Sequence, residues 1–502
     1  MDEPFIEEIT KEPLTIDHLL KVIAETNPKA DLEFIRLAYE FAEHAHEGQK
    51  RKTGEAYIIH PLAAAIILAH MQMDQSIIIT ALLHDVPEDT SVTLEDIEKN
   101  FGKDIAEVVA GITKLGKLKY RGVERYIENL RKMFVAVAND VRVMIVKFAD
   151  RLHNLTTLEA LPPKKQYRIA LESLEIYAPI ANRLGMGDMK GRLEDAAFRY
   201  VYPKEYRWVV SLVKERYAAY EEYLGFAKET VEKELRSANV PFIEIQSRMK
   251  RLYSVYQKLL KHDRDIEKLH DLIALRIVVP TVADCYATLG TIHKLWRPLK
   301  GRIKDYIAQP KPNGYQSLHT TVFGENGRIV EFQIRTQQMH EEAEYGIAAH
   351  WHYDERGSAI PTKRLAWIQE LAELQKNLIH KIKDLDALKI DVFQNRIFVF
   401  TPKGDVIDLP EAATPVDFAY AIHSDIGNTA TGARVNEQVM SLSHELKSGD
   451  VIEILVDKRR KGPSADWLKF VKTHHAKECI RQHAKKGIAS WIMERFRSTD
   501  VG

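Results

Sequence analysis

The stretch ALLHDVPEDT, residues 81–90, runs an apolar segment straight into His84 and Asp85, with Glu88 and Asp89 three to four residues further on. Its reading decides the fold class of the first third of the chain: a helix whose polar end serves a cleft, or a helix that is merely capped. A His-Asp pair alone settles nothing, because the chain has three of them: His84-Asp85, His262-Asp263 and His270-Asp271. A lone helical pair is more often a cap or a salt bridge than a metal site. Residue 84 keeps different company. YIIHP supplies His60 and KFADRLHNL supplies Asp150, each at the edge of an apolar helical run that draws polar groups toward a core. A buried imidazole or carboxylate is costly without a partner, and a divalent metal needs nitrogen and oxygen donors brought together. Pro87 is expected to bend the chain between Asp85 and the two acids beyond it.

Outward from this stretch, residues 15–200 read as helix, with apolar positions three and four apart, as in DLEFIRLAYEFAEHAH. A second long helical pattern runs from Pro203 to about Ala238. The period then changes. LIALRIVV (residues 272–279) and IVEFQIRT (residues 329–336) read as strands, which makes roughly 240–350 a mixed α/β domain. Residues 354–390 read as a charged helical connector. IFVFTPKGDVIDL is a hairpin pattern, and in TPVDFAYAIH Thr414 is the expected N-cap, with Pro415 at the first helical position and Asp417 closing a box-like start. Strands around ATGARVN and DVIEILV complete a small β-rich module near residue 457, before a basic, helical end.

The bulk numbers fit this plan. At 502 residues about three domains are expected, and 45% hydrophobic with 29% charged residues is ordinary for a soluble globular chain. The formal net charge is zero, so the whole chain points to no polyanionic partner. Two cysteines exclude a disulfide framework or a thiolate zinc cluster. The opening MDEPFIEEITKEP is unlike a signal or transit peptide. Apolar runs such as residues 62–69 fall short of the roughly 18 residues of a membrane span. A cytoplasmic protein with no membrane partner is expected.

Charge is concentrated locally. Residues 248–315 hold 14 Lys and Arg against 6 Asp and Glu. RMKRLYSVYQK, read as helix, would group Arg248, Lys250, Ser254 and Lys258. GRIKDYIAQPKPNGYQSLHTT adds Arg302, Lys304, Lys311 and an aromatic, Tyr315, in a loop. Clustered cations suit polyphosphate, and an aromatic face suits a purine. If the strands carrying Asp271 and Glu331 are neighbours, their carboxylates could share a magnesium ion beside phosphates. No GxxxxGK[ST] loop is present, which argues against a P-loop enzyme.

HAHEGQKRKTGEAYIIHP, LLHDVPEDT, GITKLGK and VKFADRLHN resemble the HD-type hydrolase domain of the RelA/SpoT family of guanosine tetra- and pentaphosphate enzymes. RMKRLYSVYQK, HDLIALRIVV, RIKDYIAQPKPNGYQSLHT and VEFQIRTQQMHEEAEYGIAAHW resemble its nucleotidyltransferase-like synthetase domain, and VDFAYAIHSDIGNTATGARVN resembles a β-grasp TGS domain. The resemblance covers about nine-tenths of the chain. It implies a hydrolase domain at 1–200, a helical linker at 201–239, a synthetase domain at 240–353, a connector at 354–390, a TGS domain at 391–457, and the start of a helical region or tail at 458–502. Long members continue with zinc-finger-like and ACT domains, of which nothing is visible here.

In the first site the resemblance implies one Mn2+ ion held by His60, His84, Asp85 and Asp150. Glu88 and Asp89 would activate water, Arg51 and Lys52 would line the nucleotide site, and Asn154 would lie beside it. In the second it implies ATP phosphates on Arg248, Lys250 and Lys258, with Ser254 and Arg276 near them. Mg2+ would sit on Asp271 and Glu331, with Glu331 also taking the 3′-hydroxyl proton. Tyr315 would stack on the acceptor guanine of GDP or GTP, within a pocket shaped by Lys304, Lys311, Asn313, Gln316 and His319. RIKD resembles the basic version of its motif found in bifunctional members. His423 is the position that would meet uncharged tRNA on the ribosome. The expected function is synthesis and hydrolysis of (p)ppGpp by one chain, with nucleotide at one site disfavouring the active shape of the other through the helices around 200–245. Its rivals are an enzyme with one working site, and a non-catalytic ribosome- or tRNA-binding regulator, which strong tRNA binding without turnover would favour.

Overall fold

The computed structural model describes residues 14–116, 133, 136, 139–269, 272–311, 313–350, 396–403, 406–447, 449–457, 459–460 and 462–484. The expected connector at 354–390 and Asp271 lie outside these residues. The chain divides into two compact units, residues 1–377 and 378–502.

Among the described residues the first unit begins with α-helices: α1 (Ile16–Thr26), α2 (Leu32–Ala45), α3 (Ile59–His70), α4 (Gln75–Leu83), α5 (Val86–Asp89), α6 (Leu94–Phe101), α7 (Lys103–Gly116), α8 (Arg142–Thr156), α9 (Pro163–Glu172), α10 (Ala178–Arg183), α11 (Gly187–Val201) and α12 (Pro203–Ser237). Thr15 and Asp31 cap the first two through their side chains. Helix α3 is apolar on every side and accordingly buried along its length, packed among α1, α4 and α8. The bend expected at Pro87 is the break between α4 and α5. The proline lies in the first turn of α5, where its missing N–H has no helical acceptor to serve, so the polar residues on either side keep their places.

A π-helical turn, Ser173–Tyr177, joins α9 to α10. Beyond α10, residues 184–187 meet the second half of the unit backbone to backbone. Ile347 N–H donates to the Leu184 carbonyl at 2.9 Å. Gly346 has φ +62°, and a side chain there would collide with that carbonyl; a Cβ on Gly187 would lie 2.5 Å from the Ala343 carbonyl oxygen. Only glycine fits at Gly346.

The second half is a mixed sheet in the order β1-β2-β6-β5-β3: β1 (Glu244–Met249), β2 (Ile273–Val279), β3 (Arg297–Pro298), β5 (Leu318–Phe323) and β6 (Ile329–Thr336), with β4 (Lys304–Asp305) also paired to β5. The strands read at 272–279 and 329–336 are adjacent and parallel, with Ala274 opposite Glu331. Helix α13 (Leu252–Lys261) packs on α11 and α12, and α14 (Val282–Leu295) and α15 (Gln337–Tyr345) lie against the sheet. Residues of α12, read as a linker, bury Val209, Val213, Val231 and Leu235 in the same core as the strands. One reading is corrected. RMKRLYSVYQK is not one helix: its first two residues end strand β1, with Arg248 opposite Ala274 of β2, and the helix begins only at Leu252.

In the second unit, β7 (Arg396–Phe400) and β8 (Val406–Pro410) form the expected hairpin, and β9 (Ala430–Val435) pairs with β10 (Gln438–Met440) and β11 (Ile452–Val456). Helix α16 (Pro415–Ile422) starts with the capping box read from the sequence: Asp417 accepts both the N–H and the hydroxyl of Thr414. The same carboxylate, fully buried, also accepts the N–H groups of Lys472 and Thr473. It thereby ties the segment after the hairpin module to α16, where Trp467, Val471, Ala476 and Ile480 pack.

Candidate metal centre and nucleotide cleft

His60 at the start of α3, His84 at the end of α4 and Asp150 in the middle of α8 converge because the three helices pack together. One ligand atom from each lies within 4.8 Å of the others, and all three residues are buried. Asp85 joins them, with carboxylate oxygens 3.1 Å from His84 Nε2 and 3.6 Å from His60 Nε2. His60 Nε2 lies 3.0 Å from Asp150 Oδ1. The donor set suits a divalent ion, and one observation of this structure tests the fit. His84 hydrogen-bonds the Ala81 carbonyl through Nδ1 at 2.7 Å, and its buried Nε2 has no hydrogen-bond partner. An imidazole fixed on one side, with a bare nitrogen aimed into a cluster of carboxylates, is how a metal ligand is presented.

Burial lowers the pKa of His60, against the pull of Asp150. Burial also works against ionised Asp85 and Asp150, but the charges beside them win. His84 and His60 hold Asp85 below the usual range, and Lys147 and His60 hold Asp150 well below it. Lys147 Nζ sits 2.5 Å from Asp150 Oδ2.

The cluster opens into a cavity of about 550 Å³. Arg51, Lys52, Glu88, Asp89 and Asn154, all read from the sequence, line it. Arg51 is held by Asn154 Oδ1 at 2.9 Å, and Asn154 donates to Asp150 at 2.5 Å. Glu88 has its pKa raised by partial burial, with Lys147 opposing. Tyr57, Lys147 and His153 were not singled out. The Tyr57 hydroxyl bridges Asp89 at 2.6 Å and Asp85 at 3.1 Å. All three lie three residues from a ligand: Lys147 and His153 flank Asp150 on one face of α8, and Tyr57 precedes His60 in the turn before α3. That spacing was the available signal.

The second cleft lies along β1, β6 and the 304–319 loop. Arg248 donates to Gln333 at 2.8 Å, Gln333 donates to Glu331 at 2.8 Å, and Glu331 lies 3.3 Å from His319 Nδ1. His319 Nε2 meets the Tyr315 hydroxyl at 2.7 Å. Lys311 Nζ lies over the rings of Tyr306 and Tyr315, 4.6 and 4.8 Å from their centroids. Desolvation and neighbouring Lys304 push its pKa down to about 8. Lys250, Ser254 and Lys258 follow Arg248 into the turn and onto α13, while exposed Lys304 is on β4.

The remaining residues have mainly internal partners. Arg276 is buried and paired with Glu344 at 2.9 Å; burial and nearby Arg335 push its pKa down to about 10. Gln316 binds the Ile307 carbonyl, and Asn313 reaches the Asn182 carbonyl at 3.3 Å. In the second unit, His423 is exposed and accepts the Asp425 N–H at 3.2 Å, so it caps the short helix Ser424–Thr429. No helix among the described residues is long and apolar enough to cross a membrane.

Three domain families match the chain: HD domain over residues 38–187, "region found in RelA / SpoT proteins" over 247–358, and TGS domain over 397–456. A GTP pyrophosphokinase of Streptomyces coelicolor is 46% identical over 488 residues, covering 93% of this chain and 57% of that protein. A guanosine-3′,5′-bis(diphosphate) 3′-pyrophosphohydrolase of Aquifex aeolicus is 48% identical over 455 residues, 90% of this chain and 65% of that one. The bifunctional (p)ppGpp synthase/hydrolase SpoT of Escherichia coli is 44% identical over 473 residues, 93% of this chain and 67% of that one. The chain spans 57–63% of the length of its Streptomyces and Myxococcus relatives.

Proposed function

Because the chain belongs to the RelA/SpoT family, we propose that it makes and destroys (p)ppGpp: it transfers pyrophosphate from ATP to the 3′-hydroxyl of GDP or GTP, and hydrolyses the product back to GDP or GTP and pyrophosphate. The observation that carries the hydrolytic half is the buried His60–His84–Asp150 cluster, with the orphaned Nε2 of His84 inside it and His60, Asp85 and Asp150 lining a nucleotide-sized cavity.

In the hydrolase, His60, His84, Asp85 and Asp150 would hold Mn2+, which when bound lowers the pKa of water and offsets charge on the phosphate. Glu88, its pKa raised by burial, takes the proton from the attacking water, while Tyr57 holds Asp89 beside it. Arg51 and Lys52 face the nucleotide, and Asn154 braces Arg51. In the synthetase, Arg248, Lys250 and Lys258 bind the donor phosphates. Asp271 and Glu331 would hold Mg2+, which when bound draws the donor phosphates together. Glu331 also accepts the 3′-hydroxyl proton, and Tyr315 stacks on guanine. Lys304, Lys311 and His319 line the acceptor side, with Asn313 and Gln316 shaping its loop. Arg276, held by Glu344, braces the sheet beside the donor and touches substrate least. The TGS module would meet uncharged tRNA on the ribosome through exposed His423, and the protein would work in the cytoplasm.

The test is release of pyrophosphate from guanosine tetraphosphate with Mn2+, alongside Asp85→Ala. Release that disappears in the variant supports the hydrolase. Absence of release by the folded, Mn2+-supplied wild type sinks it, and synthesis from ATP and GDP then has to be assayed on its own.

A further inference from the structure

His84 has its Nδ1 anchored on the Ala81 carbonyl, which leaves Nε2 for a metal. Its counterpart His60 has no carbonyl in that position. Its Nδ1 instead faces another imidazole, that of His153, at 2.7 Å, with the two rings stacked at 5.0 Å between centroids. His153 is itself buried, 4% exposed. A second neighbour fixes which nitrogen donates: Arg51 Nη1 lies 3.1 Å from the same His153 Nδ1. A guanidinium has no acceptor, so His153 Nδ1 carries a lone pair and not a proton. Facing that lone pair, His60 Nδ1 must be the N–H. Its other nitrogen, Nε2, is then bare on the side of Asp150 and Asp85.

These contacts close a ring. Arg51 Nη2 donates to Asn154 Oδ1, Asn154 Nδ2 donates to Asp150 Oδ1, Asp150 Oδ1 faces His60 Nε2, and His60 Nδ1 returns to His153 and Arg51. The helix makes this possible, since Asp150 and His153 stand three residues apart on one face of α8 and both reach the same ring of α3.

From this geometry we infer that His153 is a positioning residue of the metal centre: it accepts the Nδ1 proton of His60, fixes that imidazole in the tautomer and rotation a metal requires, and ties it to Arg51. The inference rests on the reading of His60 as a ligand. Outer partners of this kind are typically worth 10–100-fold in metal affinity.

The experiment is titration of the full chain with Mn2+ alone, measuring free ion by electron paramagnetic resonance, with melting temperatures of the metal-free proteins beside it. His153→Phe keeps a flat ring but has no acceptor, and is expected to weaken Mn2+ binding roughly 10–100-fold. His153→Asn, whose carbonyl oxygen takes the place of Nδ1, is expected to recover most of that loss. Unchanged affinity in a folded His153→Phe protein overturns the inference, as does an Asn variant no better than Phe, which would leave only packing. If the Phe variant does not fold, a loss beyond tenfold in the Asn variant is overturning on its own. His60→Ala separates the two levels. If it abolishes binding while His153→Phe leaves affinity unchanged, the inference alone falls; if wild type takes up no Mn2+, the metal reading falls with it.

Discussion

The two clefts of the first unit handle their charges in opposite ways. In the helical half, the charged groups at the metal cluster itself are paired. Asp150 is held by Lys147, His60 and Asn154, and Arg51 by Asn154 and His153, and the shifts of Asp85 and Asp150 favour their charged forms. In the sheet half, cations are buried beside one another: Lys311 is depressed first by burial and then by Lys304, with Lys258 and Arg248 adding to the effect and Glu331 opposing it. A cleft assembled in advance suits a small ion that must find its ligands ready. Cations destabilised by one another suit a polyphosphate that relieves the repulsion when it arrives. The difference predicts that mutations in the helical cleft act through what is prearranged, and those in the sheet cleft through what binds.

The sharpest way to break this contrast is to remove one proton acceptor from each half. Glu88→Gln is expected to lower pyrophosphate release by about 10²–10⁴-fold while leaving synthesis intact, and Glu331→Gln to do the reverse by a similar factor. Rates of both reactions, measured for both variants, decide it. A variant that lost both activities together would mean the two clefts do not act separately. The pH profile adds a sign. Because the pKa of Glu88 is raised, its base form is lost sooner on acidification than an ordinary glutamate's, so hydrolysis should fall as pH drops through that raised value.

Why one half was more legible than the other follows from the same geometry. His60, His84, Asp85 and Asp150 stood out because each ends an apolar helical run, and a polar group there requires a reason. Lys147 and His153 share the ligand face of α8 but read as ordinary amphipathic helix residues, and Tyr57 stands in the turn before α3. Their role needs a contact between helices that sequence does not display, such as His60 with His153, 93 residues apart. Arg248 was misplaced on a helix because EIQSRM has almost no alternation to read. Only Ile245 of that edge strand is buried, and pairing with β2 rather than burial makes it a strand. Asp417 was read as a cap and is one. Its further grip on Lys472 and Thr473, 55 and 56 residues away, has no local signature.

Tyr315→Ala tests the binding side at intermediate size. Base–aromatic stacking is worth about 1–3 kcal/mol, so KM for GDP should rise roughly 5–150-fold with kcat much less affected, and hydrolysis should not change. Tyr315→Phe sharpens the result. It keeps the ring but drops the hydroxyl that meets His319 at 2.7 Å, so a variant close to wild type assigns the effect to stacking, and one as poor as alanine assigns it to His319 and, through it, Glu331.

The smallest effect expected is a pH dependence confined to the sheet cleft. Lys311, with its pKa near 8, is charged below that pH and increasingly neutral above it in the free enzyme. A phosphate bound beside the ammonium favours the charged form. Affinity for the nucleotide should therefore be full below pH 8 and decline above it, by at most about tenfold per pH unit for one proton. Lys311→Arg keeps the charge across this range and should flatten KM between pH 7 and about 9.5. Lys147 carries the opposite sign: Asp150 outweighs burial and holds it protonated, so hydrolysis should show no corresponding loss of cation over the same range. A synthetase profile that stays flat in wild type, or that declines equally in Lys311→Arg, would remove the crowded-cation account of the second cleft and leave its residues as a binding surface without that built-in release.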